Sequence, residues 1–220
     1  MTGSFSWPPY TAPALSDHLT AEGDDGKIAA IGAVELPQAL RAQADVSVID
    51  TIWWFGDTSG GTPTYALEKA AHVEARQWLR QTIVVPARRD RVMDAEGVRL
   101  YRLPGPRIPL QRPYRFMLPT RSVLRIVRHE SPDMIEVGNP FSILWITKFA
   151  ARTVHVPMVC FAHTNVPRQF AANSERDGAG RRAVAPASAW DLCRLDPLCP
   201  LTIVASDYSA DDLGVGLFGD

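Results

Sequence analysis

The chain of 220 residues has few cysteines and no long apolar run. Its three cysteines, Cys160, Cys193 and Cys199, are odd in number and lack zinc-site or Cys-x-x-Cys spacing, so neither a disulfide framework nor a metal site is predicted. A reducing, cytoplasmic compartment is therefore expected. No apolar run reaches about eighteen residues and no basic N-terminus precedes an apolar stretch, which argues against a transmembrane helix and a signal peptide. Peripheral contact with the inner face of a membrane is left open.

The chain has no large excess of positive or negative charge, but its charged residues are unevenly distributed. The net charge is −1, so no whole-protein field attracts nucleic acid, and no nucleic-acid partner is expected. Residues 88–128 hold eleven arginines against three acidic residues, whereas residues 1–50 hold seven acidic residues against two basic ones. The arginine-rich segment predicts either an ordinary solvated surface or a patch for an anionic acceptor or phospholipid head groups.

Several familiar catalytic motifs are absent. There is no GxxxxGK[ST] phosphate loop, no GxSxG nucleophile elbow and no HExxH zinc motif. Gly60-Gly61 is not followed by the third glycine of a dinucleotide-binding motif. These absences argue against an ATPase, a dehydrogenase, a serine hydrolase and a zinc peptidase.

What the sequence does contain is a glycine turn between a strand and a helix. Residues 46–55 are almost continuously apolar, which predicts a buried strand of a parallel sheet. Ser59-Gly60-Gly61 follows, and then Thr62 as N-cap and Pro63 as first helical residue open an amphipathic helix over 63–80. Backbone N–H groups at a helix start favour phosphate, although a tight connection would have the same pattern.

Strand and helix patterns alternate along the rest of the chain. Residues 1–44 predict a loose, proline-containing and acidic extension, and residues 45–220 one domain. Strands are expected at 46–55, 82–85, 98–103, 133–137, 157–162 and 201–205, and helices at 63–80, 119–130, 141–153 and 186–195. The helix at 141–153 is expected to be buried nearly all round. This order predicts a three-layer α/β, Rossmann-like domain with a mainly parallel sheet.

Ligands of such sheets bind beyond the carboxyl ends of the strands. Three predicted strands end there in candidate groups: Gly60-Gly61, Gly138-Asn139-Pro140 and His163-Thr164. We interpret His163 as the best catalytic candidate, because an imidazole can donate to a sugar hydroxyl or to developing negative charge; a structural cap is the alternative. Asp133 is expected to stabilise a turn at the opposite edge. The direction of the Glu136 side chain is left open.

The ordered motifs resemble a known family. Ser59-Gly60-Gly61, Val98 to Pro109, Pro132 to Pro140 and Pro157 to Thr164 are similar to the N-terminal domain of family-four glycosyltransferases, nearest to its sulfoquinovosyltransferase-like and mannosyltransferase-like branch. The resemblance covers about residues 47–208. It implies one half of the two-domain GT-B architecture, moving a sugar from a nucleotide-sugar donor to a sugar or lipid-linked acceptor with retention, without a cofactor or bound metal.

The resemblance also implies roles for particular residues. Gly60 and Gly61 would present N–H groups to the donor phosphate, and His163 would contact the transferred sugar. Contacts with the acceptor or sugar are expected from five further residues: Arg107, Arg112, Arg115, Asn139 and Thr164.

Three functional hypotheses stay open at this point. The first is an acceptor-side half that lacks a C-terminal donor domain and is inactive or incomplete alone. It would be either a truncated product or a chain that works with a separately encoded second half. The second is a non-catalytic module that binds a glycolipid or sugar. The third, weaker one is a Rossmann-like nucleotide-binding protein of other chemistry.

Overall fold

The computed structural model describes residues 36, 38–53, 61–95, 97–108, 115–138, 142–162 and 199–204. Within these residues the chain forms a short 3-10 helix, three α-helices and seven strands. In chain order they are the 3-10 helix Leu40–Gln43, β1 Val46–Thr51, α1 Gly61–Glu74, β2 Leu79–Ala87, β3 Arg91–Ala95, β4 Val98–Pro104, α2 Thr120–Glu130, β5 Met134–Val137, α3 Ser142–Val154, β6 Met158–Ala162 and β7 Thr202–Val204.

The described strands form one sheet in the order β3-β4-β2-β1-β5-β6-β7. All neighbouring strands are parallel except β3 and β4, which are antiparallel. The predicted Rossmann-like α/β fold with a mainly parallel sheet is confirmed. The chain moves outward from β1 to one side through β2 and β4 and returns to start β5 on the other side. The junction of β1 and β5 is therefore the topological switch point, where such sheets bind ligands.

The helices cover both faces of the sheet, as the nearly continuous apolar strands require. Residues from alternate positions of β2 and β4, with Ile52 just after β1, pack against α1; this cluster contains Ile52, Ala66, Ala70, Val73, Ile83, Val85, Val98 and Leu100. The opposite face packs against α2 and α3, and its cluster includes Ile49, Val84, Tyr101, Val123, Ile126, Ile135, Ile143 and Leu144. β2 and β4 thus contribute to both cores by simple alternation.

The first strand and helix differ from the predicted bounds. β1 ends at Thr51 rather than residue 55. α1 begins at Gly61, two residues before the predicted start, so Thr62 lies within the helix rather than at its N-cap, and α1 ends at Glu74 rather than residue 80. The chain turns after Glu74, and the carbonyl of Trp78 accepts hydrogen bonds from the N–H groups of Asp45 and Val46. This turn sets Leu79 opposite Val46 at the start of β2. The apolar side chain of Trp78, which extended the predicted helix, is half exposed.

β2 continues through Pro86 to Ala87, two residues beyond its predicted end at residue 85. Ile52 donates its N–H to the Val84 carbonyl, and Gly105 donates to the Ala87 carbonyl. The backbone polar groups of Val84 and Pro86 therefore face β1, and those of Ala87 face β4. β1 stops at the level of Val84. Pro86 therefore lies beyond the last paired residue of β1, so its missing N–H removes no hydrogen bond of the β1–β2 ladder, and a proline is tolerated there.

The antiparallel edge strand β3 was not predicted. It pairs with β4 through a turn at Gly97, whose φ of 75° lies in the left-handed region. α2, β5, β6 and β7 lie within one residue of their predicted bounds at each end, whereas the helix expected at 186–195 lies outside the described residues. α3 also occupies its predicted place, but Trp145 and Phe149 on its outer side are exposed, so the prediction of burial all round was wrong.

The structure also corrects the prediction about cysteines. Cys160 and Cys199 form a disulfide with their Cα atoms 6.1 Å apart. Cys160 lies in β6, and Leu201, just after Cys199, accepts a backbone hydrogen bond from Cys160. The pairing of β6 with β7 brings together two cysteines whose spacing of 39 residues carries no disulfide pattern. Within the described part of the chain, no helix is long and apolar enough to cross a membrane.

Candidate functional site

Three strands end side by side at the carboxyl edge of the sheet. Thr51 of β1 is opposite Val137 of β5, and Val137 is opposite Cys160 of β6. The N–H of Gly138 donates to the Thr51 carbonyl at 2.9 Å, which fixes the exit of β5 against that of β1. The segments that leave β1, β5 and β6 therefore start at adjacent points beside the switch point.

Three of the eight predicted site residues lie within the described part of the chain. They are Gly61, which is the first residue of α1, and Arg107 and Arg115. The other five lie outside the described residues, so their contacts remain predictions: Gly60, Arg112, Asn139, His163 and Thr164. Ala162, the residue before His163, ends β6 at the carboxyl edge.

Arg107 and Arg115 lie opposite each other in a hairpin between β4 and α2. The two residues form an isolated antiparallel bridge, and the N–H of Phe116 donates to the Pro106 carbonyl at 2.9 Å. The Arg115 guanidinium donates from Nη1 to the Gly105 carbonyl, also at 2.9 Å. A Cβ at Gly105 would lie 1.9 Å from the Phe116 carbonyl oxygen, so this position needs glycine for close approach. We call residues 105–108 and 115–117 the arginine hairpin.

Trp53 ties the arginine hairpin to the end of β1. Its indole Nε1 donates to the Arg115 carbonyl at 2.6 Å, and its ring stacks on Phe116 with the centroids 6.0 Å apart. Trp53 is almost completely buried. Two of the three arginines predicted to bind the acceptor are thus held at the same edge as the carboxyl end of β1.

A buried polar cluster lies beneath α1 at the switch point. Asp50 of β1 and Glu136 of β5 are opposite each other in the sheet, and both are buried. Lys69 of α1 bridges them, with Nζ 2.5 Å from Asp50 Oδ1 and 2.8 Å from Glu136 Oε2. The Tyr65 hydroxyl donates to Glu136 Oε2 at 3.2 Å, and Gln81 Nε2 donates to Asp50 Oδ2. We call these five residues the switch-point cluster.

Burial and neighbouring charges set the protonation of this cluster. Burial raises the pKa of Tyr65, so its hydroxyl stays protonated and donates to Glu136. Burial alone would lower the pKa of Lys69, but the carboxylates of Asp50 and Glu136 outweigh it, and the pKa is raised. The pKa of Glu136 is raised by burial and by the charge of Asp50, with Lys69 opposing both. Lys69 is therefore the cation that stabilises two adjacent buried carboxylates.

The switch-point cluster holds the first half of α1 against both halves of the sheet. Lys69 and Tyr65 are four residues apart, so they share one helix face. The ring of Tyr65 also packs against the ring of Phe161 of β6, with the two ring centroids 4.5 Å apart. The position of α1, which begins at Gly61, is thereby fixed relative to β1, β5 and β6. Sequence reasoning missed this cluster. An aspartate within the apolar run of β1 and the Tyr65-Lys69 spacing were the available indications.

Glu136 and Asp133, the two acidic residues considered in β5, have structural partners. Glu136 is buried under α1 in the switch-point cluster. Asp133 exchanges hydrogen bonds with Ser47 at the amino edge of the sheet: its Oδ2 accepts from the Ser47 N–H at 2.8 Å, and its own N–H donates to the Ser47 carbonyl at 2.8 Å. Asp133 therefore lies at the edge opposite the ligand side, as expected, but these bonds join the start of β5 to β1 rather than stabilise a turn.

A second buried ion pair accounts for part of the arginine-rich segment. Arg99 of β4 is buried, with Nη1 2.7 Å from Glu130 Oε1 and Nε 2.6 Å from Asp94 Oδ1. The Tyr101 hydroxyl donates to Glu130 Oε1 at 2.5 Å, and the N–H of Leu40 donates to Glu130 Oε2 at 2.8 Å. This pair anchors α2 and the 3-10 helix to the sheet. Among the described residues, no group of three or more His, Cys, Asp or Glu side chains could hold a metal ion.

The fold and its edge define the class of protein. A doubly wound sheet with a helix that starts at its switch point defines a Rossmann-like α/β domain. Residues 59–215 match the model of Glycosyltransferase Family 4, and the chain belongs to this family.

A curated relative supports the same assignment. Over 118 residues the chain is 29% identical to a GDP-mannose-dependent alpha-mannosyltransferase of Corynebacterium glutamicum. The match covers 53% of this chain and 27% of the relative, so the chain spans about a quarter of that protein's length. The resemblance to family-four glycosyltransferases is therefore confirmed at the level of the family.

Proposed function

We propose that this chain is the acceptor-side half of a retaining glycosyltransferase that moves a sugar from a nucleotide-sugar donor to a sugar or lipid-linked acceptor. The observation that carries the proposal is the convergence at the switch point. α1 begins at Gly61, and β5 and β6 end beside β1, at Val137 and Ala162. Membership of Glycosyltransferase Family 4 supports sugar transfer as the chemistry of this edge.

Backbone donors and an imidazole have complementary roles in this proposal. The N–H groups of Gly60 and Gly61 stabilise the diphosphate that leaves the sugar, because preorganised donors at a helix start lower the cost of developing negative charge. His163 contacts the transferred sugar, and Asn139 and Thr164 complete the sugar or acceptor contacts. The switch-point cluster supports these roles by holding α1 in a fixed position.

GDP-mannose is the first donor to test, because the similar corynebacterial protein is named for it. The match covers 27% of that relative, and on this basis we propose that further donor contacts come from a second domain, in the same or a separate polypeptide. Transfer by residues 1–220 alone is then slow or absent, since half a cleft does not exclude water from the reacting centre.

The arginine hairpin is the proposed acceptor contact. Arg107 is exposed and Arg115 half-buried at the ligand edge, and Arg112 lies between them in the sequence. Guanidinium groups bind phosphate through two parallel hydrogen bonds, so a phosphorylated or lipid-linked acceptor fits this position. Peripheral membrane contact of the protein is consistent with such an acceptor.

A transfer assay tests the proposal. The chain is assayed alone and with a separately expressed second domain of a family member, using GDP-mannose and other nucleotide sugars. We expect transfer only with the second domain, loss of transfer in His163→Ala, and normal transfer in the control His72→Ala, which alters an exposed residue of α1.

Two outcomes would contradict the proposal. Robust transfer by the chain alone would refute its dependence on a second domain. Acceptor binding that persists in His163→Ala, with no transfer under any condition, would instead identify a non-catalytic sugar- or glycolipid-binding module.

A further inference from the structure

The outer side of the α2–α3 layer exposes large apolar side chains. Trp145 and Phe149 of α3 are 49% and 55% exposed, and they are four residues apart on one helix face. Leu118, just before α2, is 52% exposed. Most large apolar residues of the described chain are buried in the two cores, so this grouping is an exception.

The other exposed residues of these two helices are basic. Four arginines on the two helices are exposed: Arg121, Arg125, Arg128 and Arg152. Lys148 adds a fifth cation. The only acidic residue of α2 and α3 is Glu130, which is buried against Arg99 and Tyr101 and does not face outward. The outer side is therefore strongly positive, whereas α1 on the opposite face mixes Glu68 and Glu74 with His72.

We propose that this side of the molecule docks on an anionic lipid bilayer. We call it the α2–α3 surface and define it by Leu118, Arg121, Arg128, Trp145, Phe149 and Arg152. Half-exposed aromatic rings insert at the level of lipid head groups, and basic side chains beside them attract anionic lipids. No spanning helix is needed for this contact.

Charge complementarity favours a membrane over a second copy of the chain. A two-fold interface would place the same basic surface against itself, because such interfaces use one patch twice. Arginines of one copy would then face arginines of the other, with no outward acidic residue on either helix. An anionic bilayer instead supplies opposite charge along the whole surface.

The α2–α3 surface adjoins the ligand edge. Both helices start at the carboxyl edge of the sheet, and Trp145 is three residues into α3, or about 4.5 Å along its axis. A docked bilayer would thus lie near the arginine hairpin. That a lipid-linked acceptor reaches the arginines from this bilayer rests on the proposed function; the docking itself does not.

Vesicle binding tests the inference. The chain is sedimented with vesicles of equal parts phosphatidylglycerol and phosphatidylcholine, and with phosphatidylcholine alone. We expect binding to the anionic vesicles that weakens as salt is raised, since each arginine at such a surface strengthens binding about fivefold.

Matched variants locate the contact. Trp145→Ser with Phe149→Ser is expected to weaken binding at least about tenfold through lost apolar burial, whereas Trp78→Ser, 50% exposed at the turn between α1 and β2, leaves it unchanged. Arg121→Gln with Arg128→Gln is expected to weaken binding about 25-fold. Its control is Arg88→Gln with Arg89→Gln, two exposed arginines of the β2–β3 turn.

Each of three results would overturn the inference. The first is absence of binding to anionic vesicles, and the second is equal loss in the surface and control variants. The third is a dimer in solution that dissociates when Trp145 and Phe149 are replaced, which would assign the surface to self-association. Circular dichroism of each variant checks its folding. Because vesicle binding needs no sugar transfer, an inactive chain that binds vesicles would separate failure of the proposed function from failure of this inference.

Discussion

Replacing Lys69 with methionine removes the only cation of the switch-point cluster while keeping most of the side-chain volume. Asp50 and Glu136 are then left opposite each other, both buried, with hydrogen bonds from Gln81 and Tyr65 but no positive charge among the cluster's members. Two like charges at adjacent sheet positions oppose folding, and one of them must take up a proton.

The size of the effect follows from burial. Removing one partner of a buried ion pair costs about 3–5 kcal/mol. The Lys69 side chain is 20% exposed, so we expect the lower end, about 3 kcal/mol, at pH 7. The loss should be smaller at pH 5 than at pH 7, because the pKa of Glu136 is already raised and lowering the pH favours the protonation that removes the repulsion.

Urea unfolding followed by circular dichroism measures this loss. With a denaturant slope of about 3 kcal/mol per molar for a chain of this size, the midpoint should fall by about 1 M. Lys148→Met, on α3, is the control and should cost less than about 1 kcal/mol. A loss below about 1 kcal/mol for Lys69→Met, or a loss that is equal at pH 5 and pH 7, would refute the role assigned to Lys69.

Three further predictions concern the buried groups. Because the pKa of Glu136 is raised above its ordinary value of 4.5, its contribution to stability is present below pH 4.5 and is lost as pH rises through the raised pKa; Glu136→Gln should remove this slope in pH-dependent urea unfolding. Arg99→Met should destabilise the protein by about 3–5 kcal/mol, since Glu130 is fully buried, and an unchanged thermal midpoint would contradict the ion pair. Reduction of the Cys160–Cys199 disulfide, which closes a loop of 39 residues, should lower the free energy of unfolding by up to about 4 kcal/mol, whereas Cys199→Ala should be insensitive to reductant.

The layered fold was predictable because its residues follow simple periodic rules. The continuous apolar run of β1 indicated a strand covered on both faces, and alternation with helices indicated parallel pairing. β3 was not predictable in the same way, since Arg91 and Asp94 interrupt its short apolar pattern and only its pairing with β4 defines it. The disulfide likewise depends on the pairing of β6 with β7.

The candidate site was predictable only in its location. Strand order brings the ends of β1, β5 and β6 together, and this follows from topology. The switch-point cluster depends on the exact register that sets Asp50 opposite Glu136, and on the face of α1 that carries Lys69. Neither is fixed by residue type, because a buried charge is identified by its partners rather than by its neighbours in sequence.

Trp53 gives the arginine hairpin an optical reporter. Its indole is buried and hydrogen-bonded to the Arg115 carbonyl, whereas the rings of Trp78 and Trp145 are half in water. Emission from Trp53 should therefore lie toward the blue and resist aqueous quenchers. Any acceptor that spreads or tightens the hairpin would alter this part of the emission, and its loss in Trp53→Phe would assign it to Trp53 among the six tryptophans of the chain.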